Sequence, residues 1–148
     1  MQERFEAFTL LIGGINRSIR KIKSEDMAAF DLKSPHLSCL YYLYVKGALT
    51  AKELCIVCEE DKANISRSIA FLESEGYITC GKETSKRYQT PLHLTPKGEH
   101  VAAEIAERIG EVLQQAGNGL CETDRTVLYR SLELIASNLH EICRQYLD

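Results

Sequence analysis

The sequence predicts a mainly α-helical chain with one small β-hairpin. Apolar residues recur at spacings of three and four in both terminal segments, as on amphipathic helices. Shorter helical patterns with capping residues fill the middle of the chain, from Ser34 to Gly76. Two β-prone stretches, Tyr77–Cys80 and Thr90–Leu94, then flank a polar turn at 81–89. Together these patterns predict helices at both ends and a hairpin between them.

Both terminal segments carry an apolar seam of the kind that packs helices together. The first seam comprises Phe5, Phe8, Ile12, Ile15, Ile19 and Ile22. The last seam comprises Leu128, Leu132, Ile135, Leu139, Ile142 and Tyr146. We expect Gly13 and Gly14 to interrupt the first seam and to weaken its helix by roughly 1 kcal/mol each. We expect Glu122 or Thr123 to start and cap the last helix after the break at Gly117. Such seams pack within a monomer or across a two-fold axis, and we expect a mixture of both.

Capping residues divide the middle of the chain into short helices. Pro35 suits a first helical turn, and Gly47 suits the end of that helix. Thr50 with Glu53 has capping-box spacing, and Asp61 caps the helix that follows. The helix after Asp61 has an apolar face formed by Ile65, Ile69 and Leu72. It ends at Gly76 and is followed by the hairpin. Helix, turn, helix and hairpin, in this order, indicate a winged helix-turn-helix.

The helix after Asp61 is the candidate recognition helix. Its face opposite the apolar side carries Lys62, Ala63, Asn64, Ser66 and Arg67. Small residues let the helix approach a major groove, while amide and guanidinium groups match base edges. A solvated polar face with no binding role is the alternative explanation of the same pattern.

Several short motifs, in a fixed order, resemble those of the MarR family of transcription regulators. They are Leu49-Thr50, Lys52-Glu53-Leu54, Ser66-Arg67, Leu72, Gly76, Leu94-Thr95 and Gly98. The resemblance extends over the whole chain and implies a single MarR-like domain at 1–148. It implies a winged helix-turn-helix lobe at 34–96 and long dimerisation helices at 1–33 and 97–148.

The resemblance also implies a function: a sequence-specific, ligand-responsive homodimeric repressor. Its partners would be a pseudo-palindromic double-stranded operator, a second copy of the chain and a small-molecule effector that the sequence does not identify. The implied DNA contacts are Thr50, Lys52, Lys62, Ala63, Asn64, Ser66, Arg67, Lys82, Lys86 and Arg87. The implied effector pocket comprises Phe8, Ile12, Phe30, His36, Cys39 and Tyr42, although core packing explains each of these residues equally well.

The expected wing departs from the family pattern. MarR proteins commonly carry an Asp-x-Arg pair there, but this chain has Lys86 and Tyr88 at those positions, with Arg87 one residue early. Pro91 lies in the returning stretch, where it demands an edge position or a bulge. The net charge is −3, and cations balance anions between residues 49 and 98. A winged-helix module for protein interaction, with weakened DNA binding, is therefore an alternative function.

The cysteines suggest a further alternative, a thiol-sensing or metal-sensing regulator on the same fold. Cys55 and Cys58 form a C-x-x-C on the supporting helix, but no second ligand pair follows at zinc-site spacing. His100 and Glu104 lie one helical turn apart, which is more typical of surface chemistry than of a metal site. We expect two small helix residues rather than a site, and no metal or other cofactor.

Composition narrows the remaining classes. At 148 residues the chain has the length of one domain. Its longest apolar run, Cys39–Val45, is too short to span a bilayer, and the N-terminus lacks a signal-peptide pattern. We therefore expect a cytoplasmic protein with reduced thiols and no membrane partner. The sequence contains no P-loop, dinucleotide-binding glycines or nucleophile elbow, so we do not expect an enzyme.

Overall fold

The computed structural model describes residues 2–26, 28–81 and 89–146. Its elements follow the predicted order of helices, hairpin and helices, which confirms the mainly α fold class with one small hairpin. The chain forms two compact units, Met1–Arg108 and Ile109–Asp148.

The first helix, α1, runs without a break over Gln2–Asp26. Gly13 and Gly14, which interrupt the seam, both lie inside this helix and do not break it. A glycine costs a helix roughly 1 kcal/mol relative to alanine, but it keeps the backbone donor that proline lacks. The seam side chain of Phe5 lies outside the described residues. Apolar side chains elsewhere on α1 remain exposed to solvent in the monomer: Leu10, Leu11, Ile12, Ile15, Ile19 and Ile22.

The second helix, α2, spans Ser34–Lys46 after a short 3-10 turn at Ala28–Phe30. Proline lies in its first turn, as predicted, where the missing N–H costs nothing. The backbone N–H of Lys33 donates to Nδ1 of His36 at 3.3 Å, which satisfies a donor beside the helix start. Gly47 ends the helix with a φ of 82°, a conformation that only glycine adopts readily.

The third helix, α3, spans Ala51–Cys58 and begins with the predicted capping box. The Thr50 hydroxyl accepts a hydrogen bond from the Glu53 N–H at 3.3 Å. In return, the Glu53 carboxylate accepts one from the Thr50 N–H at 2.7 Å. Because both orphan donors are satisfied, a helix of eight residues can begin at this position.

The fourth helix, α4, spans Lys62–Ser74 and is capped by Asp61, as predicted. Oδ1 of Asp61 accepts a hydrogen bond from the Asn64 N–H at 2.7 Å. The predicted apolar face is buried and comprises Ile65, Ile69 and Leu72. The helix ends before Gly76, whose φ of 74° again requires glycine.

The hairpin consists of two antiparallel strands, β1 at Ile78–Cys80 and β2 at Leu92–Leu94. Both strands are shorter than the sequence predicts. Pro91 precedes β2 because proline has no N–H to donate to a strand partner. The N–H of Leu92 donates to the Leu49 carbonyl at 2.9 Å, so the segment before α3 contacts the hairpin.

The core of the first unit joins these elements to the fifth helix, α5, which spans Pro96–Ala116. Its largest fully buried side chains come from α2, α3, α4, β1 and α5: Leu40, Leu54, Ile65, Leu72, Ile78 and Ile105. Burial of one such aliphatic side chain is worth roughly 1.5–3 kcal/mol. The core therefore buries one face of α4 and leaves the opposite face exposed.

The Leu-Thr-x-x-Gly motif joins the end of α4 to the start of α5. The Thr95 hydroxyl donates to the Gly76 carbonyl at 2.6 Å, and its N–H donates to the Tyr77 carbonyl at 3.0 Å. Gly98 lies so close to the backbone of Tyr77 that a β-carbon on Gly98 would overlap the carbonyl oxygen of Tyr77. The motif thus has a structural role, since it sets the distance between α5 and the hairpin.

The second unit contains the end of α5 and the last helix, α6, at Glu122–Gln145. The predicted break is confirmed, and α6 begins at Glu122 as expected. Its cap, however, is Cys121, whose Sγ accepts from the Asp124 N–H at 3.5 Å, because Cys121 occupies the extended position before the helix. Apolar side chains of the predicted seam are exposed along α6: Leu128, Leu132, Ile135, Leu139, Ile142 and Tyr146. None of the helices among the described residues is long and apolar enough to cross a membrane.

Candidate nucleic-acid interface

The N-terminal two turns of α4 carry a polar face that points away from the core. Lys62, Ala63, Ser66 and Arg67 are exposed, and Asn64 is half-buried. These are the five recognition-helix residues that the sequence predicts, and they lie on consecutive turns of one helix. The free N–H groups of a helix start attract anions such as phosphate. The face therefore combines cations, small side chains and a favourable helix end.

A chain of hydrogen bonds orders the side chains on this face. Nδ2 of Asn64 donates to Oε2 of Glu60 at 2.8 Å. Nη2 of Arg67 donates to Oδ1 of Asn64 at 2.8 Å. Glu60 is not among the site residues that the sequence predicts. Helical spacing points from Arg67 to Asn64, but Glu60 lies before the cap of α4, so its contact with Asn64 is visible only in the structure.

The start of α3 supplies the next predicted contacts. The Thr50 hydroxyl donates to the Glu53 carboxylate at 2.8 Å, so it already serves the capping box. Hydrogen bonds from the backbone N–H and then the hydroxyl of Thr50 lower the pKa of Glu53, which keeps it anionic. Lys52 is exposed beside it. In this segment, Lys52 has the cationic side chain suited to a phosphate contact.

A cavity of about 260 Å³ lies where α4, the start of α3 and the hairpin meet. Its lining comprises Ala51, Lys62, Ser66, Ile69, Ala70, Cys80 and Leu92. Two of these residues, Lys62 and Ser66, also belong to the polar face of α4. The polar face and the cavity are therefore adjacent.

Comparison with known proteins identifies the fold to which this geometry belongs. A family model described as a winged helix DNA-binding domain matches residues 36–113, more than half of the chain. The chain belongs to this family of winged helix DNA-binding domains. A relative from Bacillus subtilis strain 168, the uncharacterized HTH-type transcriptional regulator YwaE, is 23% identical over 120 residues. That match covers 81% of this chain and 70% of the relative.

Solved structures show which winged helix fold this is. NMB1585, a MarR family regulator from Neisseria meningitidis, superposes with a TM-score of 0.77 at 20% identity, covering 93% of this chain and 96% of that one. The S. aureus MepR–DNA complex gives a TM-score of 0.75 at 18% identity, covering 89% of this chain and 97% of that one. The winged helix chain thus has the MarR-type fold, which confirms the resemblance found in its sequence. It is a DNA-binding transcription regulator, as that resemblance implies.

The wing of this winged helix protein is described only at its base. The predicted wing cations Lys82, Lys86 and Arg87 lie outside the described residues, as does Tyr88. At the base, the Gly81 N–H donates to the Pro91 carbonyl at 3.2 Å, which closes the hairpin beyond the paired strands. Contacts from the wing remain predictions.

The six residues of the predicted effector pocket differ in their surroundings. His36 is buried and stacks on Phe71 with ring centroids 4.2 Å apart, and burial followed by the charge of Lys33 lowers its pKa. Cys39 is completely buried. The other four are half-buried or exposed: Phe8, Phe30, Tyr42 and Ile12. None of the six lines the cavity beside α4.

A pair of thiols joins α2 to α3. The side chains of Cys39 and Cys58 form a hydrogen bond, which with burial raises the pKa of Cys39. The same hydrogen bond lowers the pKa of Cys58, and the charge of Lys23 acts in that direction too, against burial and Glu60. The sequence pattern pairs Cys58 with Cys55 in a C-x-x-C. Nothing in the sequence spacing points to Cys39, because this contact arises from helix packing.

No group of three or more His, Cys, Asp or Glu side chains suited to a metal ion occurs in the described part of the chain. Nε2 of His100 lies 3.2 Å from Oε1 of Glu104, and both side chains are largely exposed on one helix.

Proposed function

We propose that the chain is one protomer of a homodimeric repressor that binds a pseudo-palindromic operator through α4. The observation that carries this proposal is the polar face of α4, which is exposed while the opposite face is buried in the core. In the proposed complex, each protomer inserts α4 into a major groove. The two half-sites then lie about one helical turn of DNA apart.

Each candidate residue takes a role that its chemistry suits. Arg67 and Lys62 contact base edges or phosphates, while Ala63 and Ser66 let the helix backbone approach the groove. Lys52 and the segment around Thr50 meet the phosphate backbone, which sets position rather than sequence. The proposed wing contacts are Lys82, Lys86 and Arg87.

A second copy of the chain is the proposed occupant of the exposed seams on α1 and α6. On α6, Leu132 and Ile135 are each 37% exposed and Leu139 is 49% exposed, although large aliphatic side chains of a monomer are usually buried. Their heptad spacing suits a helical partner with the same spacing, and a two-fold axis supplies one.

The proposed repressor responds to a small effector in the cytoplasm, where its DNA partner lies. The half-buried aromatic side chains of Phe8, Phe30 and Tyr42 are the proposed contacts, with Ile12, His36 and Cys39 around them. An effector that binds one spacing of the two recognition helices better than the other shifts the population towards it.

Fluorescence anisotropy with DNA from upstream of the protein's own gene tests the main proposal. Arg67→Ala should weaken binding by roughly 5- to 150-fold, the effect of 1–3 kcal/mol for a base-reading arginine. Arg130→Ala removes the same charge from an exposed position on α6 and should leave binding unchanged. Equal affinities of wild type and Arg67→Ala would overturn the role of α4. Absence of DNA binding in the wild type would favour the protein-interaction module instead.

The hydrogen-bonded thiols favour a second candidate function, a regulator that responds to hydroperoxides. The Cys58 thiolate would attack the O–O bond, releasing an alcohol and forming a sulfenic acid. The Cys39 thiol would then attack that sulfur, releasing water and forming a disulfide between α2 and α3. The hydroperoxide is the oxidant, and both electrons come from the two sulfurs.

Alkylation of free thiols and DNA binding, measured before and after treatment with cumene hydroperoxide, test this candidate. We expect loss of two thiols and an altered affinity in the wild type, with neither change in Cys58→Ser. Cys143→Ser, which removes an exposed thiol from α6, should behave like the wild type. Unchanged thiol content in the oxidised wild type would exclude the candidate.

A further inference from the structure

We propose that Asn64 is a positioning residue that holds the Arg67 guanidinium for recognition of a guanine, and that Glu60 anchors Asn64 in this role. The inference rests on the proposed operator binding and specifies which side chain on α4 determines sequence preference. It assigns Glu60, which lies in the turn before α4, a function in DNA recognition without a contact to DNA.

Donor and acceptor chemistry settles the orientation of the Asn64 amide. A carboxylate only accepts hydrogen bonds and a guanidinium only donates them. Nδ2 of Asn64 must therefore face Glu60, at 2.8 Å, and Oδ1 must face Arg67, also at 2.8 Å. The reversed amide would place donor against donor and acceptor against acceptor.

The hydrogen-bonding capacity left over differs between the two candidate readers. Recognition of adenine by asparagine uses one amide N–H and the oxygen together. In Asn64 one N–H is donated to Glu60 and the oxygen accepts from Arg67, so a single N–H and a single lone pair remain, in an amide whose orientation is already fixed. A guanidinium has five N–H donors, and Arg67 is exposed and donates one of them to Asn64. Arg67 therefore retains the pair of donors that guanine O6 and N7 require.

The relay formed by Glu60, Asn64 and Arg67 also preserves the positive charge of Arg67, which attracts DNA. Nη2 of Arg67 is bonded to the neutral amide of Asn64, and the hydrogen bond that the Glu60 carboxylate accepts comes from that amide. A carboxylate bonded directly to Arg67 would neutralise the guanidinium at the DNA surface. The neutral link orients Arg67, which lowers the rotamer entropy lost on binding, an effect of roughly 2- to 10-fold in affinity.

The backbone supports the same geometry. Oδ1 of Asp61 accepts a hydrogen bond from the Asn64 N–H at 2.7 Å, which holds the backbone of Asn64 in the first turn of α4. Asn64 and Arg67 are three residues apart on α4 and therefore share one side of the helix. Glu60 precedes the cap Asp61, and its hydrogen bond to Asn64 places its carboxylate on that same side.

Binding to a duplex that the wild type selects from a random library tests the relay. Asn64→Ala should weaken binding by roughly 2- to 10-fold, with the same preferred base at every position. Combined with Arg67→Ala, it should add no further loss, because the two side chains act as one unit. Replacing the critical guanine by 7-deazaguanine should weaken the wild type and leave Arg67→Ala unaffected.

Variants of Glu60 distinguish a positioning role from a general electrostatic effect, because the two predict opposite changes in DNA affinity. Removal of an anion near DNA strengthens binding by charge alone, and Glu59→Gln controls for that effect. Positioning predicts that Glu60→Ala weakens binding although it removes an anion. Glu60→Gln, which keeps an acceptor for Asn64, should retain binding. Thermal melting checks that all variants are folded.

The outcomes distinguish the relay from the function on which it rests. If the wild type selects no DNA, or if Arg67→Ala binds like the wild type, the proposed function fails. If Arg67→Ala is weakened but Asn64→Ala and Glu60→Ala bind as well as the wild type, the relay alone is wrong. A changed base preference in Asn64→Ala would also overturn the relay, because Asn64 would then be a reader itself.

Discussion

Gly98→Ala should strongly destabilise the first unit, because the β-carbon of the alanine would clash with neighbouring atoms. A β-carbon at this position would overlap the carbonyl oxygen of Tyr77, and would lie 3.0 Å from the carbonyl carbon and 3.2 Å from Cδ2 of Leu94. Carbon atoms in contact are about 3.5–4.0 Å apart, so α5 must move by at least about 0.5 Å. That movement separates Thr95 from the backbone carbonyls that it bonds.

The expected cost combines two effects. Overpacking by one methyl group costs about 1–3 kcal/mol, and each hydrogen bond of Thr95 that weakens costs up to about 1 kcal/mol more. We therefore expect the free energy of unfolding to fall by about 3 kcal/mol. Gly110→Ala is the matched control on the same helix, since a β-carbon there would meet no atom within 4 Å. It should raise stability by about 0.5–1 kcal/mol, because alanine favours helix.

Urea unfolding followed by far-UV circular dichroism measures both variants. Protein concentration must be equal across samples, since the stability of the proposed dimer depends on it. If Gly98→Ala unfolds within about 1 kcal/mol of the wild type, the close approach of α5 to the Tyr77 backbone is not a constraint on this fold.

Leu54→Ala should lower the free energy of unfolding by about 2–5 kcal/mol because Leu54 is fully buried, whereas exposed Ile56→Ala on the same helix should change it by less than about 1 kcal/mol. Thr50→Ala removes the cap of α3 and should cost about 1 kcal/mol in the same urea assay, with Thr50→Ser close to the wild type. Burial and Lys33 lower the pKa of His36 below its ordinary 6.5, so the unfolded chain binds a proton that the folded chain does not. The contribution of His36 to the free energy of unfolding should therefore be constant well above pH 6.5 and fall as pH drops below it, and His36→Gln should remove that part of the slope in urea titrations. Parallel pH profiles of the two proteins would contradict the His36 prediction.

Local signals predicted most of the secondary structure. The capping residues Thr50 and Asp61 and the terminating Gly47 act through their own backbone neighbourhoods, so their effect is visible in the sequence. Gly13 and Gly14 interrupt the first seam without breaking its helix, because helix propensity only weights the outcome over many residues. The sequence did not predict Cys121 as a cap, because cysteine is not among the residues preferred there.

The sequence predicted which residues lie on the exposed face of the candidate site, but not the contacts between their side chains. Apolar periodicity identified the buried face of α4 and therefore the exposed face, including Arg67. The hydrogen bonds from Glu60 through Asn64 depend on rotamers that the spacing permits but does not require. The pairing of Cys39 with Cys58 depends on how α2 packs against α3.

The sequence by itself determined the order of the helices and hairpin, the two terminal seams and the polar residues on α4, because capping and periodicity act over a few residues. Tertiary structure alone decided which thiols pair, why Gly98 must be glycine and where the cavity beside α4 lies. Each of these depends on contacts between segments distant in the chain, and such contacts form only when the core brings the segments together.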